Sequence, residues 1–219
     1  MNGPRPLPPS ASVAHPGEGA KLHAPSAERN SAAIAAALCE IAPKTGRALE
    51  IASGTGQHVV AFAAAMPGLI WQPTEIDPAR RASIDAYVAE AGLPNLRAAM
   101  ALDATEADWG KAQAGQALIV LINLLHLIST PEACQIIAEA AQALAPGERF
   151  ALYGPFLRDG QATSEGDARF HASLRAQDPA IGYKDLAEVE EWLREAGLTL
   201  HPVRHMPANN LFLAAERPG

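Results

Sequence analysis

The chain has 219 residues, a length that predicts one domain with or without an appendage. Its 17 Lys and Arg against 24 Asp and Glu leave a formal net charge of −7, which argues against a nucleic-acid partner, because such binding needs a basic surface. Apolar residues make up 48% and charged residues 19%, so a disordered chain is excluded and a packed core is predicted.

The first segment of the chain is rich in proline. Residues 1–20 hold five prolines and no apolar run, which predicts a flexible tail rather than a signal peptide. Residues 21–219 are predicted to form a single domain that begins with a helical extension. The longest apolar stretch, 117–128, contains Asn123 and His126 and is too short to cross a bilayer. We therefore expect a cytoplasmic protein with no membrane partner.

Short apolar runs alternate with helical patterns along this domain. A first helix begins near Ser26, which follows Pro25, and ends before Pro43. Strands are then predicted at 47–52, 69–74, 96–102, 117–123, 149–153, 199–205 and 210–215. Helices are predicted between them at about 57–66, 78–91, 131–144, 165–177 and 185–196.

This alternation predicts an α/β fold with a Rossmann-like, doubly wound parallel sheet and helices on both faces. The fourth strand, 117–123, is apolar at nearly every position, as a strand buried on both faces should be. Only residues 206–209 join the last two strands, too few for a crossover helix, so the last strand is expected to run antiparallel.

A glycine-rich turn follows the first strand and opens a helix. Gly54 and Gly56 allow a tight turn and a close backbone approach to a ligand, and the helix N-terminus offers free N–H groups. Val59 stands where a dinucleotide fingerprint has its third glycine, and no P-loop lysine follows. Glu50, at the strand end, would repel a pyrophosphate and suits a cationic or zwitterionic ligand.

Carboxylates stand at the ends of three successive strands. After Glu50, Glu75 lies 19 residues beyond Gly56, a distance at which a strand-end carboxylate can accept hydrogen bonds from both hydroxyls of a ribose. Asp77 directly precedes a proline and is more simply the N-cap of the next helix. Asp103 ends the third strand. In a parallel sheet all three ends lie on the ligand-binding edge.

This series resembles the class I S-adenosylmethionine-dependent methyltransferases, and about nine tenths of the chain resembles one branch of them. That branch is the family known as domain of unknown function 938, whose animal member is called methyltransferase-like protein 26. The sequence segments that carry the resemblance are SAERN at 26–30, LEIASGTGQHVV at 49–60, WQP at 71–73, YGPF at 153–156 and PANN at 207–210.

The resemblance implies a seven-stranded sheet with the last strand reversed, the class I methyltransferase fold, and a bound S-adenosylmethionine. Gly54 and Gly56 are expected at its methionine and ribose part, and Glu75 at its ribose hydroxyls. The full expected cofactor set consists of Glu50, Ala52, Gly54, Gly56, Glu75, Asp103, Ala104, Asn123 and Arg29. Within it, Asp103 and Ala104 are assigned to the adenine amine, and Ala52 replaces the usual class I glycine.

Catalytic residues are expected beyond the fourth and fifth strands. Asn123 is not followed by the Pro-Pro-aromatic sequence that amino-group methyltransferases often carry, so His126 is a candidate general base toward a hydroxyl, thiol or carboxylate, or else a structural histidine. Tyr153 is a candidate for binding substrate, or else packs in an aromatic corner. Arg29 either pairs with a carboxylate or is solvated.

Other polar residues have simpler interpretations. His58, in the first turn after the glycines, is expected to be a surface or packing residue. The two asparagines 209–210 either bind substrate or cap a turn. His171, His201 and His205 show no metal-ligand spacing, so no metal is expected.

The sequence therefore predicts a methyltransferase that acts on a small molecule and requires S-adenosylmethionine. Two alternatives stay open: a protein that binds the cofactor without transferring a methyl group, and an NAD(P)-dependent oxidoreductase. The missing third glycine and the absence of a Tyr-x-x-x-Lys pair count against the second. The sequence leaves the oligomeric state and the methyl acceptor open.

Overall fold

The computed structural model describes residues 13–219. The predicted tail, 1–20, therefore lies mostly outside the described residues. Where it is described, β1 (His15–Pro16) pairs antiparallel with β2 (Leu22–His23), so a small hairpin extends across the predicted boundary at residue 20. The hairpin closes because the Gly17 N–H donates to the Lys21 carbonyl over 2.7 Å.

The remaining elements follow the predicted alternation. In chain order they are α1 (Pro25–Ile41), β3 (Gly46–Ile51), α2 (Gln57–Ala65), β4 (Leu69–Glu75), α3 (Pro78–Ala91), β5 (Met100–Ala101), α4 (Trp109–Ala112), β6 (Gln116–Ile122), α5 (Thr130–Ala143), β7 (Leu144–Gly154), α6 (Glu165–Gln177), α7 (Leu186–Glu195), β8 (Thr199–Leu200), β9 (Arg204–His205) and β10 (Leu211–Glu216). A 3₁₀ turn, Leu125–Leu127, follows β6. The short helix α4 is not among the predicted elements.

The main sheet has the order β5-β4-β3-β6-β7-β10-β8, and β9 also pairs with β10. The neighbours from β5 to β7 are parallel, whereas β10 is antiparallel to β7, β8 and β9. The prediction of a doubly wound sheet with a reversed last strand is confirmed. Strand order changes direction between β3 and β6, which is the point where a sheet of this kind opens a crevice for ligands.

The predicted sixth strand, 199–205, is interrupted. β8 pairs Leu200 with Ala215, and β9 pairs Arg204 with Phe212, so the register changes by one residue between them. Pro202 lies in the gap and has no N–H to donate to the ladder. Counted as one strand with a break, β8 and β9 complete a sheet of seven.

The predicted third strand, 96–102, is mostly absent. Only Met100 and Ala101 pair as β5, and Leu96 forms an isolated bridge with Trp71. Between them the Ala99 N–H donates to the Asp85 carboxylate over 2.7 Å instead of to a strand. Because β5 lies at the edge of the sheet, polar contacts of this kind can replace ladder hydrogen bonds there.

Two apolar cores lie on opposite faces of the sheet. Alternate residues of β6 enter different cores, Leu118 and Val120 on the face of α1 and α2, and Ile119 and Leu121 on the face of α5 and α7. Every residue of β6 is buried, which explains why its sequence is apolar at every position after Gln116. Within residues 13–219, no helix combines the length and apolar composition needed to cross a membrane.

Candidate functional site

A cleft opens at the carboxyl edge of the sheet, above the change of strand direction between β3 and β6. It encloses about 1170 Å³ of empty space that is continuous with solvent. The ends of β3, β4 and β6, the loop after β5, and the beginnings of α1 and α2 form its wall. Of the predicted cofactor set, the structure places Glu50, Ala52, Gly54, Glu75, Asp103, Ala104 and Asn123 on this wall.

The glycine-rich turn has left-handed backbone at three positions. Ala52 has φ 52°, Gly54 φ 60° and Gly56 φ 95°. Gly54 lies on the wall of the cleft, but Gly56 does not. A Cβ on Gly56 would lie 2.8 Å from the Ile84 Cα, so a side chain there would separate α2 from α3. In the free protein, the role of Gly56 is therefore to let α2 pack against α3.

Glu50 presents a buried carboxylate to the cleft. Its side chain is 1% exposed, and Oε2 has no hydrogen-bond partner among the described residues. The pKa of Glu50 is raised to about 8. Burial is the largest cause; a hydrogen bond from the Ser53 hydroxyl lowers the pKa by less, and the charge of Glu75 raises it slightly. Glu50 is thus mostly protonated at neutral pH in the free protein. A cationic donor in the cleft would supply the missing partner and favour the ionised form.

Glu75 is buried and held from three sides. Its Oε1 accepts the N–H groups of Ile76 at 2.9 Å and Asp77 at 3.2 Å, while Oε2 accepts that of Gly54 at 3.0 Å. Burial raises its pKa, partly offset by these hydrogen bonds and by the nearby Arg80 guanidinium. The carboxylate therefore has a fixed orientation before any ligand arrives.

The helix after Glu75 begins as the sequence predicts. Asp77 accepts the N–H groups of Ala79 at 2.7 Å and Arg80 at 3.0 Å, which confirms it as the N-cap of α3. Its carboxylate is therefore occupied by the helix, and Asp77 is not on the cleft wall.

The other strand ends complete the wall. Asp103 is half-buried and accepts both the N–H and the hydroxyl of Thr105, at 3.0 Å and 2.6 Å. The Ala104 carbonyl accepts the indole N–H of Trp109 at 3.0 Å. Asn123 has φ 55° and donates its N–H to the Tyr153 carbonyl at 2.8 Å, so its left-handed backbone turns the chain at the end of β6.

Besides Gly56, three predicted site residues lie off this wall. Arg29 is exposed on α1, and Tyr153 is 3% exposed in the core on the face of α1 and α2. His126 is buried, with its ring edge-on to those of Phe170 and Tyr183. Burial and the nearby Lys184 charge lower the pKa of His126 to about 3, which makes it a weak base. The structure does not bring these three residues to the cleft.

His58, expected to be a surface or packing residue, is packed and also lies on the wall of the cleft, a position that the sequence interpretation did not assign to it. It is 9% exposed, its ring is stacked on that of Phe62, and its Nε2 lies 2.7 Å from the Asn30 Oδ1. Burial lowers its pKa to about 4, so it is neutral at physiological pH. The available signal was its place in the first turn of the helix that opens after the glycines, because that turn faces the ligand edge.

Comparison with known proteins agrees with this architecture. A family model described as "Protein of unknown function (DUF938)" matches residues 21–217. An O-methyltransferase family protein from Burkholderia thailandensis is 16% identical over 89% of this chain and 58% of that chain, with a TM-score of 0.76. The S-adenosylmethionine-dependent methyltransferase SibL is 22% identical over 89% and 56%, with a TM-score of 0.72.

Human N-acetylserotonin methyltransferase, solved in complex with S-adenosylmethionine, is 12% identical over 89% of this chain and 53% of that chain, with a TM-score of 0.73. The chain spans a little over half the length of the solved structures it matches. These similarities show a shared fold, so the chain has the class I methyltransferase fold.

Proposed function

Since the chain belongs to the DUF938 family, whose function is unknown, and has the class I methyltransferase fold, we propose that it transfers a methyl group from S-adenosylmethionine to a small molecule. The proposed nucleophile is a hydroxyl, thiol or carboxylate. Similar solved proteins bear the names of O-methyltransferases and of methyltransferases dependent on this cofactor, which supports the proposal.

The observation that carries the proposal is the unpartnered Oε2 of Glu50. The Glu50 side chain is 1% exposed, and its Oε2 has no hydrogen-bond partner in the described part of the chain, so a ligand that donates a hydrogen bond there would satisfy a buried polar atom. The α-ammonium group of S-adenosylmethionine is such a donor, and its sulfonium adds a second positive charge. Glu50 is accordingly the residue proposed to bind the amino-acid part of the cofactor.

The other wall residues fit the rest of this molecule. Glu75, already oriented by three N–H groups, is proposed to accept the two ribose hydroxyls. Ile76 is 39% exposed and lies on the wall, so its apolar side chain is available to a flat base. Asp103 and Ala104 are proposed to contact the adenine amine. Leu127 and Ile128 supply further apolar surface on the wall.

The protein's part in such a reaction is mainly to position groups and exclude water. When bound, the cofactor supplies an electrophilic methyl group on a sulfonium whose positive charge disappears during transfer. A weakly polar environment around the sulfonium therefore favours methyl transfer more than a strongly anionic environment does. Glu50 is 1% exposed, so little water reaches its side chain in this part of the cleft wall.

The predicted roles of His126, Tyr153 and Arg29 stay predictions. None lies on the wall of the cleft, and Phe170 and Tyr183 pack against the ring of His126 away from it. The resemblance to the animal methyltransferase-like protein 26 and the cytoplasmic location also stay predictions.

Calorimetric titration tests the cofactor site directly. S-adenosylmethionine and its demethylated product should bind, whereas NAD should not. Replacing Glu75 with Ala should weaken binding by about 2–3 kcal/mol, because two charge-assisted hydrogen bonds are lost. Glu106→Ala is a matched control, since Glu106 is exposed and off the wall. Unchanged affinity in a folded Glu75 variant would show that the cofactor binds elsewhere.

A labelled-donor assay then separates a methyltransferase from a protein that only binds the cofactor. The chain and methyl-labelled S-adenosylmethionine are incubated with a metabolite extract, and transferred label is sought in small molecules. Incorporation that disappears in the Glu75→Ala variant supports transfer. Tight binding without incorporation from any extract would favour the binding-only alternative.

A further inference from the structure

Polar residues from four of the sequence segments that carry the family resemblance lie together beside the cleft. His58 Nε2 lies 2.7 Å from Asn30 Oδ1, which joins α2 to α1. The amides of Asn30 and Asn210 face the Tyr153 hydroxyl, where their hydrogen bonds oppose the rise in its pKa that burial causes. We call these four residues the His58 network. His58 alone among them lies on the cleft wall.

The network determines which nitrogen of His58 carries the proton. Asn30 Oδ1 is an amide oxygen and can only accept, so Nε2 must be the N–H that donates to it. The amide nitrogen of Asn30 is then the group available to the Tyr153 hydroxyl, which is consistent with their contact. The ring is neutral, because burial lowers its pKa to about 4. Nδ1 is therefore the ring nitrogen that can accept a hydrogen bond, and within residues 13–219 the hydrogen bond of this ring is the one that Nε2 makes with Asn30.

The network lies away from the end proposed for the nucleoside. Along the sheet edge the strands run β5, β4, β3, β6, β7, with Asp103 after β5, Glu75 at the end of β4 and Glu50 near the end of β3. His58 follows β3 and connects through Asn30 to Tyr153 on β7, at the other side of Glu50. If the nucleoside occupies the Glu75 end, this side of the cleft is left for the methyl acceptor.

The charges on the wall disfavour an anionic acceptor. Among the described residues that form the wall, Arg80 is the one arginine and there is no lysine. Arg80 lies near Glu75 and Gly54, at the nucleoside end. Glu50, at the end of the strand that leads to His58, is on the same wall, and binding of the cofactor ammonium would ionise it. An imidazole nitrogen that accepts hydrogen bonds on a wall with this charge attracts a donor and disfavours a carboxylate or thiolate.

We propose that His58 is a catalytic residue whose Nδ1 accepts the hydrogen bond of the reacting O–H, and that the methyl acceptor is accordingly a neutral alcohol or phenol. In the transfer, the acceptor oxygen forms its bond to the methyl carbon while the carbon–sulfur bond breaks and leaves its electron pair on sulfur. The hydroxyl proton passes to Nδ1 and then to solvent. Asn30 is a positioning residue that holds the required tautomer. This inference rests on the proposed methyltransferase function.

The acceptor class is tested with matched compounds and labelled S-adenosylmethionine. The set contains naphthols, naphthoic acids and naphthalenethiols together with aliphatic alcohols and the corresponding acids, at pH 7.5. Transfer to hydroxyl compounds in preference to the matched acids and thiols is expected. Preferred transfer to the acids or thiols would overturn the proposal, as would a lack of transfer to every hydroxyl compound by protein that binds the donor. A failure to bind the donor would instead refute the proposed function itself.

The role of His58 is tested by separating turnover from cofactor binding. His58→Gln should lower turnover of the hydroxyl compound 10²–10⁴-fold, while the calorimetric Kd for S-adenosylmethionine changes less than threefold. His205→Gln is the matched control, because His205 is exposed and off this wall. A large loss of cofactor affinity in the His58 variant would place His58 in the cofactor site and overturn the proposal. Turnover near that of the parent would do the same.

Two measurements distinguish a positioning role of Asn30 from a merely structural one: the turnover of two Asn30 variants and the tautomer of His58. Asn30→Asp keeps an oxygen acceptor for Nε2 and should retain turnover, whereas Asn30→Ala should lose at least tenfold at unchanged cofactor Kd. Nitrogen-15 NMR of the parent without ligands should show His58 protonated at Nε2 and bare at Nδ1. The opposite tautomer, or equal losses in both Asn30 variants, would overturn the assignment.

Discussion

Replacing Glu50 with Gln should stabilise the free protein, and the gain should grow as the pH rises. In the folded chain the pKa of Glu50 is about 8, whereas the ordinary value for a glutamate, which applies to the unfolded chain, is 4.5. Between these values the folded state holds a proton that the unfolded state has lost, so stability falls as pH rises and levels off above about 8. Gln keeps the shape of the protonated side chain and removes this dependence.

The magnitude follows from the same two pKa values. Each pH unit between 4.5 and 8 changes the difference in unfolding free energy between variant and parent by about 1.4 kcal/mol. The advantage of the variant should therefore be near zero at pH 4.5, about 3 kcal/mol at pH 7 and about 5 kcal/mol at pH 9. Other titrating groups, such as Glu75, are common to both proteins and largely cancel in the difference.

Urea denaturation at several pH values from 5 to 9 measures this difference. Glu106→Gln is the matched control, because it makes the same substitution at an exposed position. A difference between Glu50→Gln and the parent that stays constant with pH would mean that Glu50 is ionised in the free protein, and the reasoning from burial would fail. The same variant should bind S-adenosylmethionine more weakly at pH 8, because the ammonium then lacks a charged partner.

Three further substitutions have defined outcomes. Ala52→Gly should raise the unfolding free energy by about 0.5–1 kcal/mol, because Ala52 has φ 52° and glycine adopts that conformation without strain; a urea midpoint below that of the parent would contradict this. Gly56→Ala should lower the unfolding free energy by about 1–3 kcal/mol, because the added Cβ would meet Ile84. A folded variant with a sharply lower calorimetric affinity for the cofactor would instead place Gly56 against the ligand. His126→Gln should keep turnover within about tenfold and lower the melting temperature, since its ring is buried; a loss of 10²–10⁴-fold would make it the general base.

Local patterns in the sequence were enough to determine the fold class and most residues of the cleft wall. A strand such as β6 is apolar from Ala117 onward because both faces are covered, and parallel strands bring their carboxyl ends to one edge wherever the helices lie. Glu50, Glu75 and Asp103 could therefore be assigned to that edge from their positions in the chain. Asp77 could be assigned to its helix because capping involves only the next three residues.

The sequence could not determine which side chains face the cleft from within each loop, or what surrounds them. Gly54 and Gly56 are two residues apart, yet Gly54 lies on the wall of the cleft and Gly56 lies against Ile84. What surrounds each glycine depends on how α2 packs on α3. The length of β5 likewise depended on its edge position and on a contact with Asp85.

The surroundings of two histidines could not be determined from the sequence for the same reason. His126, four residues after β6, was a candidate base or a structural histidine, and Phe170 and Tyr183, more than 40 residues further along the chain, pack edge-on against its ring. His58 was expected to be a surface or packing residue, and only the fold shows that α1 places Asn30 beside it and that burial lowers its pKa. Periodicity and turn residues act over a few positions and determine the elements, whereas burial, tautomer and pKa depend on neighbours that only tertiary packing brings together.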